Sequence, residues 1–269
     1  MVIDFHTHAF PDRIYERTIK ILEDNIVNFG GYEFKATGTG SIDGLKSDMT
    51  KYGIDASVVL PIATAPKQTE NINNFAALIN GIDNIYSFGS LHPENDDIDG
   101  ILEHIKELGL KGIKLHPEYQ SFYVDSKESI RILKKCEELG LYTVFHTGKD
   151  HGCPPPVHCS PKRLNNVLNY VSGNYIIAAH MGGWDMWEDS ERYIIGTPIM
   201  IDTCFSFHLM NSDDAKRMII SHGADKVLFG TDWPWFSPKK TYEQLCSLSL
   251  GEYETEMIAS ANAKRILGI

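Results

Sequence analysis

The sequence predicts an α/β fold, a (β/α)8 TIM barrel. Eight short apolar runs alternate with segments of helical pattern from one end of the chain to the other. No linker-like stretch divides the 269 residues. Barrels of about 250 residues are routinely one domain, so we expect residues 1–269 to form a single domain.

The predicted strands are mostly continuous apolar runs, which is typical of parallel strands buried on both faces. They are Val2–His6, Ala56–Pro61, Tyr86–Leu91, Gly112–His116, Tyr142–His146, Tyr175–His180, Ile199–Thr203 and Val227–Asp232. An open, doubly wound sheet would show the same alternation, but no G-x-G-x-x-G motif follows the first run. The pattern favours the barrel and leaves the open sheet as the alternative.

The segments between the strands carry helix signals at both ends. The clearest helices are Ile98–Leu108, Ser126–Leu139, Asp213–His222 and Thr255–Leu267. Asp97 and Ser126 are suited to N-caps, because their side-chain oxygens can accept from free backbone N–H groups. Gly109 and Gly140 lie where C-caps are expected. These signals predict helices that cover a barrel.

Two segments are longer than ordinary βα connections. Residues 11–40 follow the first strand and contain the glycine-rich sequences FGG and GTG, and the proline-rich residues 148–160 follow the fifth strand. In a barrel, connections of this kind lie at the C-terminal face, where active sites are built. We expect both segments to shape the site.

The chain is acidic, with 36 Asp and Glu against 25 Lys and Arg, a net charge of −11. Such a surface repels phosphate backbones, so we expect no nucleic-acid partner. No apolar run reaches the roughly 20 residues of a membrane helix, and no secretory signal is visible, so we expect no membrane partner and a cytoplasmic location. Five cysteines without C-x-x-C spacing indicate reduced thiols.

The first strand leads into two histidines one residue apart, His6 and His8. Side chains alternate along a strand, so both point the same way, with Cα atoms about 6.6 Å apart at roughly 3.3 Å of rise per residue. Two imidazoles at that separation can converge on one metal ion. A lone pair of this kind also occurs as solvated or core histidines beside a turn.

Other predicted strands also end in residues that bind metals or move protons. They are Lys114 and His116 after the fourth strand, His146 after the fifth, His180 after the sixth and Asp232 after the eighth. In a barrel these strand ends meet at one face, although they are far apart in sequence. Chance readily explains one such residue but not the whole set. The set therefore predicts an active site.

The chain resembles the amidohydrolase superfamily, in particular the branch that contains aminocarboxymuconate semialdehyde decarboxylase and related decarboxylases and hydrolases. The resemblance depends on motifs that run in the family's order over nearly the whole chain. They are IDFHTHAFP at 3–11, GIKLHP at 112–117, FHTG at 145–148, AHMGG at 179–183, FGTDWP at 229–234 and NAKRILG at 262–268.

The resemblance implies that one divalent metal ion is bound by His6, His8, His146 and Asp232. Zinc is the first expectation, because neutral imidazoles and a carboxylate suit it, and manganese, iron or cobalt fit the same ligands. It also implies that His180 is the acid–base histidine. In two-metal branches of the superfamily, the position of His180 binds a second ion instead.

Lys114 bears on the number of metal ions. Two-metal relatives often carry a carboxylated lysine on the fourth strand that bridges both ions, whereas a lysine here can also pair with a barrel carboxylate or hold an acidic substrate. The motifs are closer to the single-metal branch, so we expect one ion. Lys114 and His116 stay candidates for a second metal or for substrate, and His158 in the proline-rich loop is a candidate substrate contact.

The leading functional hypothesis is hydrolysis of a small-molecule amide, lactam, lactone or ester carbonyl by a metal-activated water. Asp232 would accept the proton of this water, and His180 would stabilise the developing charge. The alternative is a lyase, a non-oxidative decarboxylase or hydratase of a small aromatic or unsaturated carboxylic acid at the same metal site. A substrate carboxylate would bind Arg13, Arg163 or Arg192, which the sequence does not distinguish.

Two hypotheses from other classes are weaker. A non-catalytic metal-binding barrel would show a missing ligand, and none is missing. A two-metal phosphoesterase would need a basic phosphate pocket, which the sequence does not show.

Tryptophans flank the motifs after the sixth and eighth strands: Trp184, Trp187, Trp233 and Trp235. They would line the pocket, pack internally or contact a second subunit. From the apolar area that such loops would expose, and from the resemblance, we expect a homodimer.

Overall fold

The computed structural model describes residues 1–269, and its eight parallel strands form a (β/α)8 barrel, as the sequence predicts. Hydrogen bonds join β1-β2-β3 and β4-β5-β6-β7-β8, and parallel bridges link Gly89 to Ile113 and Thr7 to Trp233, which closes the barrel. The strands are β1 Ile3–Thr7, β2 Ala56–Val59, β3 Ile85–Ser87, β4 Gly112–Leu115, β5 Tyr142–Phe145, β6 Ile176–Ala178, β7 Met200–Asp202 and β8 Val227–Leu228.

Most strands end before the residues that were predicted to carry chemistry. The shortest, β8, stops at Leu228, four residues before Asp232. The chain nevertheless continues beside β1, because Phe5 N donates to Phe229 O at 2.8 Å and Asp232 N donates to His6 O at 2.9 Å. The residues beyond the regular ladder are therefore still held on the barrel.

A β-bulge in β1 places the first predicted metal ligand. The register with β2 shifts between Asp4 and Thr7. Phe5 packs edge-on against Phe88 at 5.5 Å in the inner core, while the next residue, His6, belongs to the polar group above that core. Bulges re-aim side chains in this way next to active sites.

Eleven α-helices surround the barrel. They are α1 Tyr15–Asn25, α2 Ile42–Tyr52, α3 Thr69–Ile79, α4 Ile98–Glu107, α5 Lys127–Leu139, α6 Pro161–Asn166, α7 Trp187–Tyr193, α8 Ser212–His222, α9 Pro238–Ser247, α10 Glu252–Glu256 and α11 Asn262–Leu267. The predicted N-caps are present: the side chain of Asp97 accepts from Gly100 N and that of Ser126 from Ser129 N. The C-cap of α4 is Leu108, one residue before the predicted Gly109. Gly140 ends α5 with a φ of 71°, which a glycine adopts without strain.

The C-terminal helix differs from its prediction. In place of one helix over Thr255–Leu267, a π-helical turn at Met257–Ala261 separates α10 from α11. Asn262, the first residue of α11, is buried, and its Nδ2 donates to the carbonyls of Ala224 and Val227, both at 2.7 Å. The interruption thus coincides with an anchor that ties α11 to the start of β8.

The core has two parts. Inward-facing strand residues form an inner cluster with α11; among its members are Ile3, Phe5, Ala56, Val58, Leu60, Phe88, Val144, Ile177, Met200, Leu228, Ala263 and Ile266. A larger cluster fills the space between strands and helices. The inner cluster leaves the C-terminal ends of the strands for polar side chains.

All five cysteines are free thiols, as their spacing predicts. No helix has both the length and the apolarity needed to cross a membrane.

Candidate active site

A cavity of about 440 Å³ opens at the C-terminal ends of the strands. Its floor is formed by polar strand-end residues: His6, His8, Lys114, His116, His146, His180 and Asp232. Its roof comes from the two long segments, with residues of α1 and of 148–160 above the floor. The structure therefore brings seven of the eight predicted site residues to one cavity.

The walls above the floor are largely apolar. They include Phe10, Tyr32, Phe34, Ile62, Ile72, Phe75, Trp184, Phe205 and Trp235. Phe34 connects the roof to the walls, with its ring 5.6 Å from that of Phe205 and 6.2 Å from that of Trp235. This volume and lining suit a small molecule with a mostly apolar surface.

Only two of the four tryptophans, Trp184 and Trp235, line the cavity. Trp233 is fully buried, and its Nε1 donates to Asp48 Oδ2 at 2.9 Å. Gly38 packs so closely on this ring that a Cβ would lie 2.4 Å from Trp233 Nε1. Self-association stays a prediction, although these tryptophans do not supply the exposed apolar area from which it was inferred.

Three side chains converge at the centre of the floor. His8 Nε2 lies 3.1 Å from Asp232 Oδ1, and His6 Nε2 lies 3.6 Å from the same oxygen. His6 is fully buried, whereas His8 and Asp232 are each 13% exposed at the side chain. The three potential ligand atoms lie within 4.8 Å of one another.

The hydrogen bonds behind this group determine what it can bind. His6 Nδ1 lies 2.7 Å from Asp202 Oδ2, and His8 Nδ1 lies 3.1 Å from the carbonyl oxygen of Leu60. Since both partners only accept, each imidazole carries a hydrogen on Nδ1. Both Nε2 atoms then face Asp232 Oδ1, and the donor beside them is Lys114 Nζ, 3.2 Å from His6 Nε2. This arrangement fits a divalent cation.

Electrostatics favour the forms of these residues that bind metals. Burial and the nearby charge of Lys114 lower the pKa of His6 to about 4. Burial would raise the pKa of Asp232, but His8 and His6 outweigh it and hold this pKa well below its usual range. At neutral pH His6 is therefore neutral and Asp232 is ionised, as metal binding requires.

His146 lies beside this group and is turned away from it. His146 Nδ1 lies 3.0 Å from His180 Nε2, and His146 Nε2 lies 3.0 Å from the carbonyl oxygen of Lys149. His180 stands between, with its ring centroid 4.7 Å from that of His146 and 5.6 Å from that of His6. The four ligands implied by the resemblance are therefore not all together in this structure. His6, His8 and Asp232 form one group, and His146 lies beside it because its Nε2 contacts the carbonyl oxygen of Lys149 in the loop after β5.

His116 pairs with an acid from the same loop. His116 Nε2 lies 3.1 Å from Asp150 Oδ2, and the His116 ring stacks on that of His146 at 4.2 Å and 16°. His116, His146 and Asp150 form a second group that could hold a metal ion, since one ligand atom of each lies within 4.8 Å of the others. Burial would raise the pKa of Asp150, but the hydrogen bond from His116 helps to hold it well below its usual range. The pair forms a polar wall of the cavity.

Lys114 is the one cation at the floor. Its side chain is buried, with Nζ 3.2 Å from His6 Nε2 and no carboxylate within ion-pair distance. Burial lowers the pKa of Lys114, against the opposing effect of nearby acidic groups. This position suits contact with an anionic group of a substrate.

The structure does not bring His158 to the cavity. Its Nδ1 lies 3.2 Å from the carbonyl oxygen of Pro117, and its ring packs edge-on against Tyr123 at 4.7 Å. The backbone N of His158 donates to Glu118 Oε1 at 2.9 Å. These bonds tie the proline-rich loop to the segment after β4, and His158 lies outside the lining of the cavity.

The three candidate arginines differ in their position relative to the cavity. Arg13 lines the cavity and makes no ion pair. Arg163 pairs with Asp125 at 2.8 Å and lies over the ring of Tyr123, and Arg192 lies outside the lining.

Sequence reasoning missed Asp202. Its Oδ2 receives the hydrogen bond of His6, and its Oδ1 accepts from His180 N at 2.9 Å and Cys204 N at 3.1 Å. It therefore orients two predicted site histidines at once. The available signal was a carboxylate at the end of the predicted strand Ile199–Thr203, the pattern that identified the other strand ends.

Strained backbone accompanies these residues. His180, Met181 and Asp232 have φ values of 61°, 55° and 65°, in a region that non-glycine residues occupy at a cost of order 1–3 kcal/mol. Hydrogen bonds oppose the strain, since Met181 N donates to Asp202 O at 2.7 Å and Asp232 N to His6 O at 2.9 Å. Conformations of this kind cluster at functional sites.

The family model described as Amidohydrolase matches residues 3–269. The chain belongs to the amidohydrolase family. This agrees with the motifs at its strand ends. No curated protein matches the chain.

Solved structures share the fold at low sequence identity. An uncharacterised TIM-barrel protein from Bordetella bronchiseptica is 18% identical, with a TM-score of 0.73 over 99% of this chain and 98% of the other. A probable 2-pyrone-4,6-dicarboxylic acid hydrolase from Acinetobacter baumannii is 13% identical, with a TM-score of 0.69 over 100% and 99%. A 5-carboxyvanillate decarboxylase from Novosphingobium aromaticivorans, solved with bound manganese, is 13% identical, with a TM-score of 0.69 over 100% and 97%.

Proposed function

We propose that the protein is a metal-dependent hydrolase that acts on the carbonyl group of a small, largely apolar lactone, lactam, amide or ester. The observation that carries the proposal is the group of His6, His8 and Asp232, whose ligand atoms converge at the floor of the cavity. The match to the Amidohydrolase family model supports it, as does the structural likeness to a probable 2-pyrone-4,6-dicarboxylic acid hydrolase.

His6, His8 and Asp232 would hold the ion, with His146 as the further ligand that the resemblance implies. When bound, a divalent ion polarises a carbonyl and lowers the pKa of water from about 15.7 toward 7. We propose one ion, zinc first. Manganese fits the same donor atoms, and the 5-carboxyvanillate decarboxylase structure holds it.

Asp232 is the proton acceptor in this proposal. Its Oδ1 faces the two histidines, while its Oδ2 has no hydrogen-bond partner in the protein. The carboxylate is ionised at neutral pH and reachable from the cavity. Oδ2 can therefore take the proton of a water that attacks a bound carbonyl and return it to the leaving group.

His180 and Lys114 would stabilise the charge that develops on the carbonyl oxygen. Burial, and then the neighbouring His146, hold the pKa of His180 well below its usual value, so His180 is neutral and acts as an N–H donor. Lys114 places a cation against the same group of histidines. Such donors are most effective where water is excluded.

The apolar cavity favours a second activity, the non-oxidative decarboxylation of a small aromatic acid. A carboxylate desolvated by aromatic walls loses stability relative to neutral CO₂, and the ring of such an acid fits the lining of Phe34, Trp184 and Trp235. The decarboxylase among the structural neighbours supports this alternative. The reaction would need a proton at carbon, which water would supply and Asp232 or His180 would pass on.

One experiment distinguishes the two activities. The protein, loaded with one equivalent of zinc or manganese, is incubated with aryl lactones, amides and esters and with hydroxybenzoic acids, in H₂¹⁸O and in D₂O. Hydrolysis places one ¹⁸O in the product acid; decarboxylation releases CO₂ and leaves one C–D bond on the ring. We expect ¹⁸O incorporation. Deuterium with CO₂ would replace the hydrolase by the lyase.

Matched variants separate the protein's chemistry from background. Asp232→Asn removes the proposed proton acceptor and should abolish product, while Asp214→Asn changes an exposed carboxylate on α8 that pairs with Arg217 and should keep full activity. Equal rates in the two variants would contradict both reactions.

A further inference from the structure

The two sides of the cavity are lined by different kinds of side chain. Trp184 and Phe205 follow β6 and β7, whereas Ile62 follows β2 and Ile72 lies on α3, between β2 and β3. In the closed barrel, β6 is the strand opposite β2, and β7 is the strand opposite β3. The aliphatic wall of Ile62 and Ile72 therefore faces the aromatic wall of Trp184 and Phe205 across the polar floor.

The roof is divided in the same way. Its aromatic residues lie with the aromatic wall, since the ring of Phe34 is 5.6 Å from that of Phe205, and Tyr32 Oη is 2.9 Å from His151 Nδ1. The ring of His151 in turn packs edge-on against Trp184 at 4.4 Å. These contacts hold the aromatic part of the roof over one side of the cavity.

Helix α1 presents a largely aliphatic stripe to the cavity. Ile14, Thr18, Leu22 and Ile26 line it at intervals of four residues, a spacing that places side chains on one face of a helix. No residue of α1 is buried, so this face is not part of the core. From Thr18 to Ile26 the stripe is about 12 Å long, at roughly 1.5 Å of rise per residue.

The aliphatic wall is backed by the protein and limited in length. Ile72 and Phe75 lie three residues apart on one face of α3, and Phe75 packs against the core between the strands and the helices. The lining continues to Thr64 and Asn71, which are polar and exposed. The apolar surface therefore ends at the mouth of the cavity.

We propose that Leu22, Ile26, Ile62 and Ile72 form an aliphatic subsite that binds an alkyl chain of medium length, which the substrate carries beside its scissile ester, lactone or amide group. Branched aliphatic side chains gain dispersion contacts and buried apolar area from methylene groups. Specific packing of an aromatic ring needs other rings, and these line the opposite wall. Cleavage of the bond rests on the proposed function, whereas binding of the chain can be measured without it.

The first test is the hydrolysis of the phenyl esters of acetic, butanoic, hexanoic and octanoic acid by the metal-loaded enzyme. Their ring suits the aromatic wall, and their acyl chain would lie in the aliphatic subsite. KM should fall about two- to fourfold for each methylene that is buried, with a much smaller change in kcat, because the chain binds equally in the ground state and the transition state. Equal KM values over the series would overturn the proposal.

Variants on the two helices locate the chain. Leu22→Gln places an amide in the stripe, and Ile72→Trp fills space beside the wall, so each should raise KM for the octanoyl ester about tenfold and change KM for the acetyl ester little. Ile21→Gln and Leu78→Trp are matching changes at exposed positions of α1 and α3 outside the lining, and they should behave like the wild type. If Leu22→Gln and Ile72→Trp keep the full dependence on chain length, the chain lies elsewhere and the proposal is wrong.

Binding to chelator-treated protein separates the subsite from the reaction. The ligands are the neutral N-methyl amides of the same acids, which carry no carboxylate for Lys114 or Arg13, and calorimetry measures Kd. Kd should fall with chain length in the wild type and much less in Leu22→Gln. This result in a protein that hydrolyses none of the esters would remove the proposed function and leave the subsite standing. Hydrolysis with neither KM nor Kd dependent on chain length would leave the proposed function and overturn the subsite.

Discussion

The floor and the roof of the cavity are built differently. At the floor, the side chains at the strand ends are held by polar contacts with one another and with the barrel; His6 alone contacts Asp202, Lys114 and Cys204. At the roof, α1 has no buried residue, and Ile21 is 47% exposed. A rigid floor suits chemistry that depends on distances, whereas a loosely packed roof can change without harm to the barrel. We therefore expect floor variants to change kcat and roof variants to change substrate choice.

The largest effect is expected at the convergence point of the floor. Replacing both His6 and His8 with alanine leaves Asp232 without the two imidazoles that share its cation. We expect elemental analysis to show that the metal content falls from one ion per chain to background, and activity with it. Unchanged metal content in the double variant would place the ion elsewhere, with His116, His146 and Asp150 as the group to test next.

A smaller effect is expected from His180, which faces the reaction and is not part of the three-residue group. His180→Asn should reduce turnover by about 10² to 10⁴, the usual contribution of a general acid–base group, while one ion per chain is kept. Parallel loss of metal and activity would make His180 a ligand. The two-metal alternative with a carboxylated Lys114 would then be the better description.

The sequence predicted which residues lie at the floor better than it predicted how their side chains are oriented. Apolar runs locate the strands, and a barrel brings their ends together, so His6, His8 and Asp232 could be grouped without coordinates. The orientation of His146 could not, because it depends on the carbonyl of Lys149 in an irregular loop. The exclusion of His158 has the same origin, since its partners belong to a segment whose path no periodicity encodes.

For the roof, the sequence predicted only which residues lie over the site, not the structure that they form. The length of residues 11–40 indicated a segment over the site, but not that it contains α1 and a π-helical turn at Ile26–Gly30. The pattern of α1 has an apolar side that reaches the cavity through Leu22, while Ile21 stays exposed. Helix propensity predicts a helix in this segment. Which side of the helix faces the ligand depends on how the helix lies on the barrel.

A buried histidine outside the cavity tests whether acid lowers the stability of the protein only through the histidines of the floor. His222, at the end of α8, is buried, and burial together with Lys226 lowers its pKa to about 4. Because the pKa is lower when folded than when unfolded, about 6.5, the unfolded chain binds more protons between these values. His222 therefore supports stability fully above pH 6.5, and this support is lost as pH falls toward 4.

The expected size follows from about 1.4 kcal/mol per pH unit for one proton. Between pH 7 and pH 5, the free energy of unfolding should fall by about 2 kcal/mol more in wild type than in His222→Gln, measured by urea unfolding of chelator-treated protein. If the free energy of unfolding falls equally in the two proteins, the loss of stability in acid comes from the floor histidines. The floor would then differ from the rest of the barrel in this property too.

The smallest effect is expected at the roof, where Arg13 lines the cavity without an ion pair of its own. An exposed guanidinium that pairs with a substrate carboxylate contributes about 1 kcal/mol or somewhat more, because solvent screens it. Arg13→Leu should therefore raise KM about tenfold for substrates that carry a carboxylate, leave kcat unchanged, and have no effect on their neutral esters or amides.

The neighbouring Arg17 lies outside the lining, so Arg17→Leu makes the same change of charge without the contact. If both variants raise KM equally, the effect is long-range attraction and should disappear with added salt. If kcat falls with Arg13 alone, the roof takes part in the chemistry, and the division between a catalytic floor and a selective roof is wrong.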